Sequence, residues 1–411
     1  MALGDVADWL DSHSGPGFLW YAKRLSGNDT LANGAHQAGP YIPKELLFRI
    51  FPGLDRPEAE NPDVLFDLYV DSHADHRRAR AVWYNNRRRG RSRDEARVTR
   101  LGGASSALLD PDSTGALAVF AFSVAGPDAV ATCHVWICRH AIEEDLVEER
   151  IGPVEPGTTV VWPDEQFLLP GLAGRVPLQE RSCWLEPHEL PPEWLVRFPA
   201  GAELVDKAVE LRPVASLSAD ERLLKRRDCE FDLFRSLEEA TELPAIREGF
   251  DTMEAFLAKA QSILQRRKAR AGRSLELHAR AVFLEEELRE GRDFTHQPET
   301  EKGHRPDFVF PSAERYADRA FPETRLRMLA VKTTCKDRWR QVLNEAARIR
   351  SKHLLTLQEG VSVGQFREMQ EADVQLVVPA PLVGKYPRTV QPQLQTFESF
   401  IGDVRLVGLG D

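Results

Sequence analysis

The chain has 411 residues, of which 42% are hydrophobic and 29% charged, the composition of an ordinary globular protein long enough for two separately packed domains. No apolar run approaches a membrane span, and the first residues lack the basic and then apolar pattern of a secretory leader. Five scattered cysteines favour a reduced, cytoplasmic protein, and a net charge of −10 argues against indiscriminate binding to nucleic acid.

The charge is unevenly distributed along the chain. Ten arginines and only two acids, Asp94 and Glu95, lie between Arg77 and Arg100. That segment carries +8 and leaves −18 for all other residues. A local basic patch can collect phosphates while the remaining surface repels them. The negative net charge of the whole chain is therefore compatible with a selective DNA-binding protein.

The first part of the chain, residues 8–171, predicts mainly β-strands. Short apolar runs are separated there by Gly, Pro, Asn and Asp. The predicted strands are 18–25, 65–70, 79–84, 97–101, 117–124 and 132–139. One helix is predicted over 43–51, with Pro43 at its start and Pro52-Gly53 after its end. Many strands with one or two helices favour a barrel-like β domain.

The second part of the chain predicts helices and then an alternation of strands and helices. Residues 176–198 are rich in Pro and charge, which indicates a linker. Helices are predicted over 220–242, 252–266 and 274–290, the last two beginning at Thr252 and Ser274. Strands at 308–310, 327–333, 353–357 and 374–378 then alternate with helices at 340–350 and 364–371. This order predicts an α/β domain with a mixed sheet.

Three charged residues around two of these strands suggest a chemistry. Pro306-Asp307 precedes one apolar run, Lys332 ends the next, and Glu345 lies on the predicted helix that follows. Carboxylate oxygens suit Mg²⁺, a hard cation. A lysine beside the metal can orient or deprotonate a water molecule and offset phosphate charge. The pattern favours metal-dependent cleavage of a phosphodiester bond.

Each of these residues also has an ordinary structural explanation. Asp307 after a proline can cap a turn, and Lys332 can be a surface lysine at a strand end. Glu345 can pair with an arginine one turn along its helix. The three residues together, in this order, favour the catalytic interpretation.

Pro306-Asp307 followed by Lys332 resembles the PD-(D/E)XK nuclease signature, with one departure. The signature has an acid two residues before the lysine, where this chain has Ala330. In one subgroup of restriction enzymes a glutamate on the following helix replaces that acid, and Glu345 is placed for this role. The run AVKTTCKDRWRQ from Ala330, and LLTLQEGVSVGQFREM from Leu354 to Met369, resemble EcoRII-type restriction endonucleases. The similarity extends over about residues 20–379.

This resemblance implies a two-site type II restriction endonuclease that cleaves double-stranded DNA at a CCWGG-like sequence. It implies an N-terminal β pseudobarrel that binds an effector copy of the site, residues 1–175, and a linker, 176–200. Residues 201–411 would form an α/β PD-(D/E)XK catalytic and dimerisation domain. Mg²⁺ is the implied cofactor, and a cognate DNA methyltransferase is the implied genetic partner. We expect a homodimer without membrane attachment, because cutting both strands of a near-palindrome requires two active sites. The N-terminal domain is expected to restrain the catalytic one until effector DNA binds.

The resemblance also assigns roles to residues of the C-terminal part. Asp307 and Glu345 hold one or two Mg²⁺ ions, and Lys332 positions the attacking water. Glu276, on a preceding helix, is a further metal contact, or else an ordinary helix-surface residue. Lys336, Asp337 and Arg338 are either a solvated charge run or readers of a C:G pair, and the resemblance implies base reading. Tyr316 is expected to pack or to contact phosphate, since no base that would activate it is visible.

In the N-terminal part, the arginine-rich segment is expected to contact effector DNA rather than to be a disordered basic loop. Glu95 lies inside the patch, and Arg with Glu can read a G:C pair together. The resemblance implies base or phosphate contacts for Arg87, Arg91, Arg93, Glu95 and Arg97, with His36 and Tyr41 on a second loop. Ala96 stands where the family has a basic residue. Lys23 and Arg24 are expected to contact backbone phosphates.

The sequence also suggests a zinc site and alternative functions. Cys133 and Cys138 with His134 and His140 suggest zinc, but residues five apart on a strand face opposite sides, so no zinc site is expected there. Alternative functions are a non-specific or repair nuclease of the same fold, or a DNA-binding regulator without catalysis. Discrete bands from unmethylated genomic DNA would exclude the first, and Mg²⁺-dependent plasmid nicking would exclude the second.

Overall fold

The computed structural model describes residues 3–34, 38–90, 94–123, 132–162, 183–213 and 216–408. The chain divides into two compact units. The first comprises Met1–Val176, Gln358–Arg367 and Gly384–Pro392, and the second comprises Pro177–Leu357, Glu368–Val383 and Gln393–Asp411. Two short segments from the C-terminal part of the sequence thus group with the N-terminal residues. The division into 1–175, 176–200 and 201–411 stays a prediction.

A seven-stranded sheet forms the centre of the first unit, in the order β4-β3-β2-β6-β5-β1-β7. Its strands are β1 Phe18–Arg24, β2 Asp63–Val70, β3 Asp75–Tyr84, β4 Glu95–Thr99, β5 Leu117–Ser123, β6 Thr132–Ile137 and β7 Thr159–Trp162. All neighbouring strands are antiparallel except β2 and β6, which are parallel. The six predicted strands are confirmed with ends shifted by a few residues. β4 and β7 are the outer strands, so the pseudobarrel stays a prediction.

Both faces of this sheet are covered, because side chains alternate along each strand. On β1, Leu19 and Tyr21 enter one apolar cluster, and Trp20 and Ala22 enter another. The first cluster includes α2 (Lys44–Ile50), the predicted helix. The second is covered by α1 (Leu3–Ser12) and α3 (Ala141–Ile151), which were not predicted. The apolar stripe of α3 is hard to recognise in sequence because two glutamates, Glu143 and Glu144, are also buried.

A five-stranded sheet forms the centre of the second unit, in the order β12-β11-β10-β9-β8. Its strands are β8 Thr295–His296, β9 Phe308–Phe310, β10 Arg327–Val331, β11 Lys352–Leu355 and β12 Val374–Val377. β10, β11 and β12 are parallel, whereas β8, β9 and β10 are antiparallel. The predicted mixed sheet is therefore confirmed. Phe283, Phe294, Phe308 and Phe310 pack together in its core.

The remaining helices follow in chain order. They are α4 Pro192–Val196, α5 Gly201–Leu211, α6 Ala219–Glu248, α7 Met253–Glu285, α8 Ala313–Ala317, α9 Val363–Glu371, α10 Ala380–Val383 and α11 Phe397–Gly408. The predicted break between helices at 252–266 and 274–290 is wrong, because α7 is continuous. Its arginines at 266, 267 and 270 pair with glutamates 242, 238 and 230 of α6, which holds the middle of α7 in a helix. Ser274, the expected N-cap, instead donates to Glu230.

The predicted helix over 340–350 is also wrong. Arg338–Asn344 form a 3-10 helix, and Glu345 is already extended, with φ −84° and ψ 145°. Ala346 adopts a left-handed φ of 47°. The ammonium of Lys352 donates to the carbonyl oxygens of Glu345 and Ala346, at 2.6 and 2.8 Å. In a helix that continued to residue 350, these two carbonyl oxygens would accept backbone hydrogen bonds instead. Glu345 therefore follows a short helix and is not part of one.

The cysteines do not follow the expectation of a fully reduced chain. Cys183 and Cys229 form a disulfide, whereas Cys133, Cys138 and Cys335 are free and buried. Cys133 and Cys138 enter different apolar clusters on opposite faces of the first sheet. Among the described residues, no helix is both long enough and apolar enough to cross a membrane.

Candidate active site

The sheet register brings Asp307 and Lys332 together. Asp307 directly precedes β9 and Lys332 directly follows β10. Since β9 and β10 are antiparallel, with Phe308 opposite Leu329, the start of one strand lies beside the end of the other. The Lys332 backbone N–H donates to Leu355, which continues the parallel pairing with β11. The two charged side chains therefore emerge at one edge of the sheet.

Asp307 is held by two donors. Its Oδ2 accepts a hydrogen bond from the Val331 backbone N–H at 2.7 Å and lies 3.4 Å from the Lys332 Nζ. Burial raises the pKa of Asp307, and the nearby Lys332 ammonium partly opposes that shift. The negative charge of Glu276 raises the pKa of Asp307 further, so the two carboxylates influence each other.

Glu345 reaches the same cluster after the 3-10 helix. Burial raises its pKa to about 7, with Lys332 favouring the charged form and Asp307 opposing it. Its Oε2 is buried and accepts no hydrogen bond within the described part of the chain. A buried carboxylate oxygen without a partner is costly, and a cation is the partner that would satisfy it.

The backbone at Glu345 is set by a residue that sequence reasoning did not select. Lys352 begins β11 and is 5% exposed. Burial lowers its pKa, although Glu301 and Glu345 favour the charged form. Its two hydrogen bonds to the carbonyls of residues 345 and 346 fix the turn that aims Glu345. A lysine at a strand start gives no sequence signal for this role, because its acceptors depend on the turn.

Glu276 lies on α7 and is almost fully buried. Its Oε1 is bonded by the His296 ring and by the Gln297 side-chain amide, the latter at 2.6 Å. Among the described residues nothing donates to its Oε2. One carboxylate oxygen is therefore held in place by protein donors, and the other remains available for a cation or a water molecule.

The donor set of this cluster fits a hard divalent cation. It consists of carboxylate oxygens from Asp307, Glu345 and Glu276, and oxygen is the ligand type that such ions prefer. The unpartnered Oε2 of Glu345 is the observation that argues for such an ion. A bound cation would also stabilise the ionised form of Glu345 against the burial that raises its pKa.

The other residues expected near the cleavage site are the charged triplet at 336–338, which is partly exposed, and Tyr316, which is buried. Lys336, Asp337 and Arg338 follow Lys332 at the start of the 3-10 helix and are partly exposed. Tyr316 is 5% exposed, donates to Glu301, and has its pKa raised to about 12 by burial. Such a phenol is a poor nucleophile, and its contacts agree with the packing role expected for it.

In the first unit, three of the expected DNA-contacting residues lie together. Tyr41, Glu95 and Arg97 line a cleft of about 720 Å³. Tyr41 is 61% exposed, and the Arg97 guanidinium lies 2.6 Å from the Glu95 carboxylate. The Arg and Glu expected to read one base pair therefore bond to each other in this structure.

The remaining expected DNA contacts have different surroundings. Arg87 is exposed. Lys23 is 8% exposed and pairs with Asp29 at 2.7 Å, and Asp29 also accepts from the Tyr41 backbone N–H. Arg24 is buried against Glu144 and Glu148, which argues against the expected phosphate contact. His36, Arg91 and Arg93 lie outside the described residues.

A buried acid, a lysine and a second acid at the edge of a mixed sheet are the kinds of group that a metal-dependent nuclease uses. Residues 14–166 match the family model "Restriction endonuclease EcoRII, N-terminal", and residues 234–401 match "EcoRII C terminal". The chain is 44% identical to the Type II restriction enzyme EcoRII of Escherichia coli over 408 residues, 98% of each chain. It belongs to the EcoRII family of type II restriction endonucleases and is thus a site-specific deoxyribonuclease.

Solved structures show only a distant likeness. Metal-depleted Ecl18kI in complex with uncleaved, modified DNA is 19% identical, with a TM-score of 0.43, and the match covers 55% of this chain and 85% of that one. Metal-depleted Ecl18kI with uncleaved DNA is 20% identical over the same shares, with a TM-score of 0.42. These scores are too low to define a common fold. Type II restriction enzymes typically use divalent metal ions.

Proposed function

We propose that the chain hydrolyses phosphodiester bonds of double-stranded DNA with Mg²⁺ held by Asp307 and Glu345, at a CCWGG-like site. The observation that carries the proposal is the convergence of three charged groups. Lys332 lies 3.4 Å from Asp307, and both residues act on the pKa of Glu345. Glu276 is proposed as a further contact of the metal or of its water shell.

Each side chain has a defined part in the reaction. Asp307 and Glu345 would hold the cation through their carboxylate oxygens. When bound, the cation would neutralise phosphate charge and make a water molecule more acidic. Lys332 donates a hydrogen bond to the attacking water, orients it for in-line attack and offsets the charge that develops on the phosphate. The bond from phosphorus to the 3′-oxygen breaks as the bond to the water oxygen forms. The water's proton passes to solvent and the leaving 3′-oxygen takes a proton from solvent, so no covalent bond to the protein is needed.

The decisive experiment for this proposal is digestion of plasmids. Plasmids with no, one or several CCWGG sites would be incubated with the full chain, with and without Mg²⁺, and the product ends would be sequenced. We expect Mg²⁺-dependent ends at a single sequence. Cleavage without sequence preference, or cleavage unaffected by chelation of the metal, would contradict the proposal.

Base reading is proposed for Lys336, Asp337 and Arg338. Asp can accept a hydrogen bond from cytosine N4, and Lys or Arg can donate to guanine O6 and N7. Replacing Asp337 by alanine should reduce the preference for the cognate C:G pair over a substituted pair by about 10-fold to 100-fold. Binding of oligonucleotides with either pair would measure this ratio.

A control for this prediction lies on the same 3-10 helix. Arg340 is exposed and pairs with Glu368 at 2.6 Å. Arg340→Ala should leave the preference unchanged even if it weakens binding to both oligonucleotides. An unchanged preference in the Asp337→Ala protein would show that this aspartate does not read the base pair.

The first unit is proposed to bind an effector copy of the site in the cleft lined by Tyr41, Glu95 and Arg97. Arg87, Arg91, Arg93 and His36 are proposed as additional contacts. Lys23 is proposed to act mainly through Asp29, which orients the backbone of Tyr41. A pair of Arg and Glu that bond each other without DNA can exchange that bond for contacts to guanine and cytosine.

The N-terminal part is also proposed to restrain cleavage until effector DNA binds. The division of the chain into two compact units supports this proposal. Gln358–Arg367 and Gly384–Pro392 group with the N-terminal residues although they come from the C-terminal part of the sequence. The Gly27 N–H donates to Glu359 at 2.6 Å, and a Cβ at Gly27 would lie 2.3 Å from the Lys385 carbonyl. The N-terminal residues thus hold a segment that includes the start of α9 and another that follows α10.

Removal of the N-terminal part should therefore raise cleavage. We expect a fragment of residues 201–411 to cleave a plasmid with a single site about tenfold faster than the full chain, the range of a typical coupling energy. The difference should narrow on plasmids with several sites, which supply their own effector. Equal or slower cleavage by a fragment with a folded circular dichroism spectrum would refute the restraint.

Sedimentation of full chain and fragment with DNA would test the proposed homodimer.

A further inference from the structure

Three potential metal ligands meet in the first unit, outside the proposed DNA cleft. They are His13, directly after α1; Asp71, directly after β2; and His134, on β6. One donor atom can be chosen from each so that all three atoms lie within 4.8 Å of one another. The parallel pairing of β2 with β6 places Tyr69 opposite His134, which brings Asp71 alongside that histidine.

Hydrogen bonds indicate which donor atom each histidine would present. The Nδ1 of His13 lies 2.8 Å from the Trp9 carbonyl oxygen, an acceptor, so Nδ1 carries the proton and Nε2 presents a lone pair. A carbonyl on the other ring nitrogen is a usual way of holding a histidine that binds a metal. The Nδ1 of His134 lies 3.0 Å from the Asp71 Oδ2, so this nitrogen and the carboxylate already face each other. An ion that binds both atoms would replace the proton between them, and that proton would move to the His134 Nε2.

The rings and the carboxylate are also held by aromatic neighbours. His13 stacks on Trp9, with ring centroids 4.7 Å apart, and His134 stacks on Tyr69, with centroids 5.0 Å apart. The Trp9 Nε1 donates to the Asp71 Oδ2 at 2.7 Å. Rotation of these side chains is therefore restricted before any ligand binds, which lowers the entropy cost of binding.

Within the described part of the chain, no hydrogen bond involves the Nε2 of His13, the Nε2 of His134 or the Oδ1 of Asp71. The Nε2 of His13 is therefore available to an ion, and the Nε2 of His134 is available for the displaced proton. The side chains of Asp71 and His134 are 28% and 27% exposed, so an ion can enter from solvent.

We propose that His13, Asp71 and His134 form a binding site for a divalent first-row transition ion of the zinc type. Two imidazoles and one carboxylate suit Zn²⁺, Co²⁺ or Ni²⁺, whereas Mg²⁺ prefers oxygen ligands alone. Tetrahedral ligation at about 2.0–2.1 Å requires donor atoms roughly 3.3 Å apart, so each pair of ligand atoms converges by at most about 1.5 Å. Water completes the coordination.

The bound ion would link the N-terminal helix to the sheet. α1 also packs on the rest of the first unit through Val6, Trp9 and Leu10, in the apolar cluster that it shares with β1 and α3, and its Asp11 pairs with Arg150 of α3. An ion that binds only the folded state adds its binding free energy to the stability of the fold. The site is separate in sequence and in chemistry from Asp307, Lys332 and Glu345, and its test does not depend on DNA cleavage.

Cobalt provides a direct measurement, because its visible absorption reports the ligands. The metal-free full chain would be titrated with Co²⁺ in excess Mg²⁺, which occupies oxygen-only sites, and the bound Co²⁺ would then be displaced with Zn²⁺. We expect one equivalent of Co²⁺ with nitrogen and oxygen ligation and no thiolate charge-transfer band, followed by stoichiometric displacement. Absence of an equivalent bound under these conditions would overturn the proposal.

Three histidine variants distinguish the loss of a metal ligand from the loss of a histidine elsewhere in the first unit. His13→Ala and His134→Ala should each weaken Co²⁺ binding by at least about 100-fold, since even loss of an outer-shell partner costs 10-fold to 100-fold. His76→Ala should bind as the unaltered chain does, because His76 also stacks on Tyr69 but bonds to Asp67. Zn²⁺ should raise the unfolding temperature of the unaltered chain and of His76→Ala only. Unchanged binding in either ligand variant would overturn the assignment, and the titration of the unaltered chain decides the question if a variant fails to fold.

Discussion

The Lys332→Ala protein should cleave cognate DNA at least about 1000-fold more slowly than the unaltered chain, with Mg²⁺ present and the site saturated. The lysine ammonium lies 3.4 Å from Asp307 and influences the pKa of Glu345, so it occupies the position where water and phosphate would meet the two acids. Its removal leaves the protein without the donor that orients the attacking water. Single-turnover rates on a short duplex would measure the loss.

Binding of the site should be retained in the same variant. The groups proposed to read the bases lie beyond Lys332 in sequence, so the affinity measured in Ca²⁺ should stay within a few-fold of the original. Lys225→Ala is a suitable control, because Lys225 is an exposed lysine of α6. Near-normal cleavage by Lys332→Ala, with Lys225→Ala also active, would mean that the lysine assignment is wrong.

Glu345→Gln should lose cleavage and gain stability. The amide has nearly the shape of the carboxylate but cannot supply its charge to a cation. We expect a loss of at least about 100-fold in rate, partly restored by higher Mg²⁺ concentrations. The Oε2 of Glu345 accepts no hydrogen bond within the described residues, so the substitution breaks no bond that the structure records at this oxygen.

The gain in stability follows from the direction of the pKa shift. Burial raises the pKa of Glu345 from 4.5 in the unfolded chain to about 7 in the folded one. As the pH rises from 4.5 to 7, the unfolded chain loses this proton first, so the carboxyl destabilises the fold increasingly, and fully above pH 7. Allowing for the partly exposed side chain, metal-free Glu345→Gln should be about 2 kcal/mol more stable at pH 8.

Urea unfolding of the metal-free proteins would test this difference. The stabilities of Glu345→Gln and of the unaltered chain should converge at pH 4.5, and added Mg²⁺ should stabilise the unaltered chain at pH 8. Glu368→Gln is the matched control, since Glu368 is an exposed glutamate paired with Arg340. Equal stability of Glu345→Gln and the unaltered chain at pH 8 would show that burial does not destabilise the ionised carboxylate of Glu345.

Sequence reasoning located most of the described strands and selected Asp307 and Lys332 at two of their ends, because apolar runs and turn residues act locally, but it missed the short strands β7 and β8. Asp307 and Lys332 flank short apolar runs, and the antiparallel pairing of those runs brings the two residues together. The same reasoning failed at residues 340–350, where the buried ammonium of Lys352 bonds to carbonyls that a helix would have used. It also divided α7 in two, because ion pairs with α6 are not visible in the local pattern.

The sequence by itself predicted most of the strands along the chain, the mixed sheet and the basic segment, and it singled out Asp307 and Lys332 as the candidate acid and lysine. Each of these depends on residues close together in the chain. The tertiary structure alone decided that Glu345 faces Lys332 from an extended residue, that Arg24 is buried against two glutamates, and that His13, Asp71 and His134 meet. The physical reason is that burial and pairing depend on side chains many residues apart, whose contacts exist only once the sheets and helices have packed.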